Sequence, residues 1–526
     1  MMDLIIALLP IATLILSVLL FKRTITQAVL ISLIVLLLSS IYWGLGFETI
    51  AASSLRGVFL AIEIIIIVFS AVLIFEILER QRLFSVISRK LDSVSSDKVI
   101  QTLFVLLGVV FFMEGVAGFG TPAIIAIPLL LAIGYKPTQA VILSLLADSI
   151  PVSFGAVGLP VSFGIGSIVS SIQGIDNVGL LNSVVARIAL INILGMLILS
   201  LILLATIKSF LKDEKIKISS YLTFVIPVVL ISSLVALFVA VFVGPELPSI
   251  IGGITAIAVM VFLSSRRRTV TTSKEAVLNE SATLDQASND NKHLYRALIP
   301  YGLLISLLLL SRLPIFGVVD FLQDITVSNG GIFGSDVSYS LAPFYSAATI
   351  LLLVAIFSLF WFHESAEKTK SIVTDVLKLV SRPFIALLLT LVFVQIFINS
   401  QSIELQAMPV LIAEYLSSSA GSMWPLISPF VGALGSFLAG SATVSNLIFS
   451  GIQYDVAVEA SLSTSSVLSL QSLGAALGNM IALHNVIAAL TIAKLSEKSA
   501  SVVIKYNGKY LALFLLIIGI LGLVIV

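Results

Sequence analysis

The sequence predicts an all-α polytopic membrane protein: two inverted-topology repeats with about 12 full transmembrane helices plus paired re-entrant hairpins or broken helices. Three observations lead there. Hydrophobic residues make up 59% of the chain and charged residues 11%, where a soluble domain carries about 25% charged residues. Lysine and arginine crowd into alternate loops. Two polar interruptions, one in each half, lie 322 to 323 residues apart.

The spans come first. A bilayer crossing needs roughly 17 to 25 mainly apolar residues. Stretches approaching this length run over 3–21, 26–43, 57–78, 98–115, 183–207, 219–243, 247–264, 297–311, 341–361, 383–398, 422–438 and 509–526. The first lacks the basic flank that precedes the apolar core of a signal peptide. Lys22 and Arg23 follow it instead, so it reads as a retained span.

Charge sets the orientation. The loops 22–23, 80–98, 208–217, 266–296, 368–382 and 494–509 hold 25 of the 29 Lys and Arg residues, and the positive-inside rule makes them cytoplasmic. The loop 313–340, with Asp320, Asp324 and Asp336, then faces outside, as do both termini of this multi-pass plasma-membrane protein. Equivalent spans such as 183–207 and 509–526 run in opposite directions, which makes the repeat inverted. The expected organisation is a first repeat over 1–218, a central hairpin and polar linker over 219–295, and a second, inverted repeat over 296–526.

Apolar pieces too short or too interrupted to cross alone lie between the spans: 119–133, 137–150 and 153–171, then 441–451, 461–473 and 478–493. They fit re-entrant hairpins and broken helices. The segments 84–95 and 405–416 have the pattern of interfacial helices or of ordinary loops.

The interruptions carry the chemistry. Gly118-Phe119-Gly120-Thr121-Pro122 is followed by Asp148-Ser149 and Gly155; Gly440-Ser441-Ala442-Thr443 is followed by Gln471-Ser472 and Gly478. Lipid tolerates irregular backbone only where it is buried in protein or lines a watery cavity. Paired breaks in two halves mark the binding site of a secondary transporter. The Gly118–Ala123 run also matches a dinucleotide fingerprint, but that motif must follow a strand, and this one follows an apolar helix. Glycines suit a tight break, Pro122 suits the first turn of a new helix, and the free N–H groups of helix starts attract anions.

Other chemistries lack support. A net charge of +1 without a basic face gives nucleic acid no electrostatic footing. The chain has no cysteine, and His293, His363 and His484 are too far apart for a ligand set, so neither metal nor cofactor is expected. An intramembrane hydrolase would need a Ser/His/Asp or metal constellation, and none has suitable spacing.

Glu114-Gly115-Val116-Ala117-Gly118-Phe119-Gly120-Thr121-Pro122, Ala147-Asp148-Ser149-Ile150-Pro151-Val152-Ser153-Phe154-Gly155 and Gly440-Ser441-Ala442-Thr443-Val444-Ser445-Asn446 together resemble the L-lactate permease family. The resemblance covers both halves. It implies an ion-coupled carrier, typically a proton symporter for lactate, glycolate or related 2-hydroxy monocarboxylates. It also implies a paired-hairpin domain that moves against a scaffold. Two departures stand out. Ala442 replaces the Asp of the family's Gly-Ser-Asp-Thr, and Gly478-Asn479-Met480-Ile481-Ala482-Leu483-His484 replaces Gly-Lys-Met-Ile-Ser-Pro-Gln. One carboxylate and one ammonium are missing together. That is coherent for a pair, since deleting one partner of a buried pair costs about 3–5 kcal/mol while deleting both can be near neutral.

Asp148, where the family commonly has Asn, is the first candidate for proton coupling, because a carboxylate inside a membrane usually marks function. Glu114 matches the family motif and ranks with it. His484 follows, as the histidine inside the apolar region. Capping and packing roles are the structural alternatives for all three.

The anion itself has little cationic help. No Lys or Arg occurs from Pro383 to Ala493, and between Val99 and Ala186 only Lys136 does, in a hairpin tip. Helix starts and uncharged donors are therefore expected to hold it: Gly118, Gly120, Thr121, Ser149, Ser153, Ser441, Thr443, Ser445, Asn446, Gln471, Ser472 and Asn479. The expected partners are a small organic anion, protons or else sodium, and membrane lipid, with monomer and homo-oligomer both open. A cation/proton antiporter using Asp148, or a carrier of a gluconate-like acid or dicarboxylate, is the alternative. Glu63, near the outer end of the third span, reads as a snorkelling group, with pairing to Arg56 or lining of water as alternatives.

Overall fold

The computed structural model describes residues 2–21, 23–81, 95–118, 121–172, 174–211, 217–268, 295–296, 299–311, 318–362 and 365–525. Gly120, Arg312, His293, His363, nearly all of segment 84–95 and most of the polar linker lie outside the described residues.

Every stretch expected to span overlaps a helix among the described residues, though 341–361 is helical only from Ala347. The first half runs α1 (Met2–Leu19), α2 (Ile25–Tyr42), α3 (Phe47–Arg80), α4 (Lys98–Val116), α5 (Thr121–Ile133), α6 (Pro137–Ala147), a 3₁₀ turn (Pro151–Phe154), α7 (Gly155–Ser162), α8 (Gly166–Val169) and α9 (Asn177–Phe210). Helices α10 (Ile218–Phe242) and α11 (Pro248–Arg268) form the central pair. The second half continues with α12 (Ile299–Ser311), α13 (Val318–Asp324), strands β1 (Val327–Asn329) and β2 (Tyr339–Leu341), α14 (Ala347–Trp361) and α15 (Ala366–Ile398). It closes with α16 (Met408–Ala420), α17 (Trp424–Ala439), α18 (Ala442–Glu459), α19 (Thr464–Gly478), a 3₁₀ turn (Asn479–Ile481), α20 (Leu483–Ile492) and α21 (Ala500–Ile525).

Two details differ from expectation. Among the described residues, 10 helical stretches are long and apolar enough to cross a membrane, or 11 counting the bent pair Ala366–Ser381 and Phe384–Ile398. The expected spans 3–21, 297–311 and 341–361 form shorter apolar helices, whereas the interrupted Pro151–Val169 and Thr464–Ile492 are long enough when taken whole. The loop expected at 313–340 also carries a small antiparallel pair, β1 with β2, in which Asn329 faces Tyr339. Segment 405–416 is largely helical, and α16 buries Met408, Pro409, Ile412 and Ala413.

Burial sorts the spans by role. In the most apolar stretch of α4, 94% of the residues are buried, and in that of Pro151–Val169, 83%, against 39% for α2 and 33% for α21. Helices carrying the polar breaks are thus enclosed by protein, as backbone at membrane depth demands. Apolar α2 and α21 instead keep large side chains such as Leu38, Ile41 and Ile520 on the outside. Close helix crossings use small residues: a Cβ on Gly115 would strike the Ile250 backbone at 2.6 Å, and one on Gly253 would strike Phe112. At one end of the molecule Arg80 pairs with Glu76 at 3.0 Å and with Asp375 of α15 at 2.9 Å.

Candidate functional site

The first break begins where α4 ends. A π-helical turn, Phe104–Val109, precedes the stretch that carries Glu114, and such turns are often found at functional sites. The chain leaves the helix at Gly118, whose φ of +55° favours glycine, and α5 starts at Thr121. The turn after α6 then returns the chain: Asp148 caps α6 through its N–H to Ser144 O, Ser149 Oγ donates to Leu146 O at 2.7 Å, and the 3₁₀ turn follows. Beyond Gly155, Ala156 (φ 45°), Val157 (φ 56°) and Gly158 (φ 75°) form a left-handed stretch. Left-handed backbone costs roughly 1–2 kcal/mol per non-glycine residue and is sterically hardest on a β-branched one, so the stretch holds strain next to the site.

This geometry joins Glu114 to Asp148. Both are buried, at 4% and 3% exposure, and their carboxyl groups stand within hydrogen-bonding reach of each other. Glu114 Oε2 and Asp148 Oδ1 are left without further partners, as is Ser153 Oγ in the adjoining turn. The Glu114 carboxyl lies against Gly155, where any Cβ would collide with Oε1. Two ionised carboxylates offer only acceptors, so a bond between them requires one bound proton.

The second break mirrors this layout with different chemistry. Gly440, at φ 70°, ends α17. Ser441 Oγ accepts the Val444 N–H at 3.4 Å and caps α18, and Thr443 is buried in the first turn. Behind them runs a closed network. Trp424 Nε1 donates to Gln453 Oε1 at 2.8 Å, and Gln453 Nε2 donates to Gln471 Oε1 at 2.9 Å and to Ser428 O at 3.2 Å. Gln471 Nε2 donates to Ser445 Oγ at 3.3 Å and to Asn446 Oδ1 at 3.5 Å. Asn446 Nδ2 finishes on Ser472 Oγ at 3.1 Å and on Pro160 O of the first half at 2.8 Å.

The two breaks converge on the 3₁₀ turn Pro151–Phe154. Its Val152 packs against Ala442, Ala475 and Ala476 of the second half, while Ala156, just past the turn, touches Gly118. Glu114, Asp148, Gly118, Ser149 and Ser153 therefore gather on one side, and Ser445, Asn446, Gln471 and Ser472 on the other. Asn479 keeps to itself, its Oδ1 accepting from Asn485 Nδ2 at 2.5 Å. His484 is exposed at the start of α20, with its Cβ against Gly440. Lys136 is exposed in the turn between α5 and α6.

Sequence reasoning missed Gln453, Trp424 and Asn485. A signal existed for Gln453, which lies seven residues after Asn446 on the same face of α18. Nothing in the sequence pointed to the Pro160 carbonyl.

The chain is similar to known proteins along nearly its whole length. The L-lactate permease family profile matches residues 3–526. A Haemophilus influenzae relative is 29% identical over 486 residues, covering 88% of this chain and 87% of its own. The L-lactate permease of Streptococcus iniae is 28% identical over 469 residues, covering 87% and 91%. Among solved structures, the YdaH transporter of Alcanivorax borkumensis aligns at 13% identity with a TM-score of 0.39, over 86% of this chain and 84% of that one.

Proposed function

Since the chain belongs to the L-lactate permease family, we propose that it carries L-lactate or a related small 2-hydroxy monocarboxylate by proton-coupled symport. In this reading Glu114 and Asp148 hold the proton, and the facing breaks hold the anion. The observation that supports it best is the buried carboxyl pair beside the turn where both breaks meet.

Coupling follows from charge. With both carboxyls ionised, an incoming carboxylate meets like charge in a medium poor in water. At an effective dielectric of about 20, a unit charge about 8 Å away costs roughly 2 kcal/mol, near thirtyfold in affinity. A proton on the pair removes that cost, and by linkage the bound anion strengthens proton binding equally. Proton and anion thus load together and leave together. The anion takes its hydrogen bonds from the α5 and α18 starts and from Thr121, Ser149, Ser153, Thr443 and their neighbours.

The repeat reading completes the scheme. Halves 1–218 and 296–526, joined by 219–295, are inverted relatives; the Arg80 end of α3 faces the cytoplasm and both termini face outside. Alternating access is rocking of the break-bearing helices against the α3, α14 and α15 group.

Proteoliposomes provide the test. An imposed inward proton gradient should accumulate labelled L-lactate, and a protonophore should abolish that accumulation. Accumulation that survives the protonophore and follows a sodium gradient would overturn proton coupling.

A further inference from the structure

One face of α3 carries two charged residues that the central site does not use. Ala52, Arg56, Phe59 and Glu63 recur at helical spacing and share that face. The segment from β1 to β2 lies over it. Ile332 and Val337 close on Ala52, and the Tyr339 ring stands 5.1 Å from that of Phe59. Further along, Ser346 Oγ donates to Glu63 Oε1 at 2.8 Å, and the Tyr339 phenol is a second neighbour of the same carboxylate.

Arg56 sits between these contacts and is 9% exposed. Its Nε is buried without a hydrogen-bond partner, and both ion pairs among the described residues belong to Arg80. The neighbouring Gly57 packs closely on the Val392 backbone, where an added Cβ would have only 2.8 Å, so this face of α3 sits tight against α15. Glu63 is a poor counter-charge: two helical turns, about 10 Å of rise, separate them, and its carboxylate is already engaged.

An enclosed guanidinium without an opposite charge is costly. Its planar fork of donors matches a carboxylate in two parallel bonds, which a lysine could not reproduce. The convergence of the breaks offers no such cation. We propose that Arg56, beneath the β1–β2 hairpin, is an entry site for the carboxylate of the transported anion, occupied before the anion reaches the breaks. This rests on the transport reading and on the outward orientation of that hairpin given above. Glu63 and Tyr339 stiffen the floor and roof of the site, and hairpin movement admits the ligand.

The test uses the full chain in phosphatidylcholine nanodiscs, with melting temperature followed against L-lactate concentration, and uptake in proteoliposomes of the same lipid. Arg56→Gln should raise the half-saturating lactate concentration and the uptake KM by about tenfold or more, with maximal rate kept within about twofold. Arg56→Lys should recover part of the loss, and it serves as the second variant if Arg56→Gln does not fold. Unchanged half-saturation in both variants overturns the entry site. A phospholipid phosphate has the same oxyanion chemistry, so the titration is repeated with phosphatidylglycerol included. Stabilisation of the parent chain by that lipid, lost in Arg56→Gln while lactate half-saturation stays put, assigns Arg56 to lipid and also overturns the proposal. A parent chain that L-lactate neither stabilises nor enters through fails at the transport reading itself, a result distinct from failure confined to the Arg56 variants.

Discussion

Glu114 and Asp148 come from different helices yet present their carboxyl groups to each other, in a space left open because Gly155 has no side chain. A left-handed run at Ala156–Gly158, which few residues adopt without strain, follows Gly155 directly. A missing side chain at Gly155, a left-handed backbone run and two buried carboxyl groups thus lie beside one another.

Amide variants probe the proton. Asp148→Asn and Glu114→Gln keep shape and remove a titrating group. Each should lose gradient-driven accumulation, with the internal to external ratio of labelled lactate falling to about one, while counterflow exchange persists. Accumulation equal to that of the parent chain in either variant would take that residue out of the coupling step.

Gly155→Ala tests the space beside the pair. The added methyl meets Glu114 Oε1, and overpacking of this kind costs about 1–3 kcal/mol. Uptake should drop at least tenfold, measured beside the melting temperature to separate site damage from unfolding. Gly440→Ala carries a different burden, the left-handed penalty of roughly 1–2 kcal/mol at φ 70° and crowding by His484 Cβ at 2.9 Å.

Gln453→Leu opens the polar network behind the second break. Trp424 Nε1 and Gln471 Oε1 lose their partners in a buried setting, and each unsatisfied group costs about 1–3 kcal/mol. The melting temperature should fall by several degrees, and KM for lactate should rise as Gln471 and Asn446 lose their orientation. A KM equal to that of the parent chain would confine Gln453 to a purely structural role.

Orientation is open to direct labelling, because a chain without cysteine makes every single-cysteine variant a clean reporter. Cysteines at Asp375 and Lys498 should react only from the cytoplasmic side, and those at Asp336 and Asp3 only from outside. Reaction of Asp375 and Lys498 positions from opposite faces would break the inverted-repeat scheme.

Most helix positions and both polar breaks were legible in the chain, because lipid and backbone chemistry act locally, although three expected spans proved shorter helices. An apolar run of sufficient length must become a helix, and a glycine-hydroxyl cluster inside one must become an interruption. Asp148 and Glu114 could each be singled out by the cost of a carboxylate in an oily sequence. Their partnership could not, since it depends on how α4, α6 and the start of α7 cross. Asn446 was visible as a polar residue, but its bond to the Pro160 carbonyl joins positions on different halves and leaves no local trace. Glu63 read as a snorkelling group, a water-lining group or a partner of Arg56, and its contact with Ser346, 283 residues on, left no local trace. Periodicity and hydropathy determined the elements of this protein, whereas the meeting of distant polar groups was decided by helix crossings that only the tertiary packing sets.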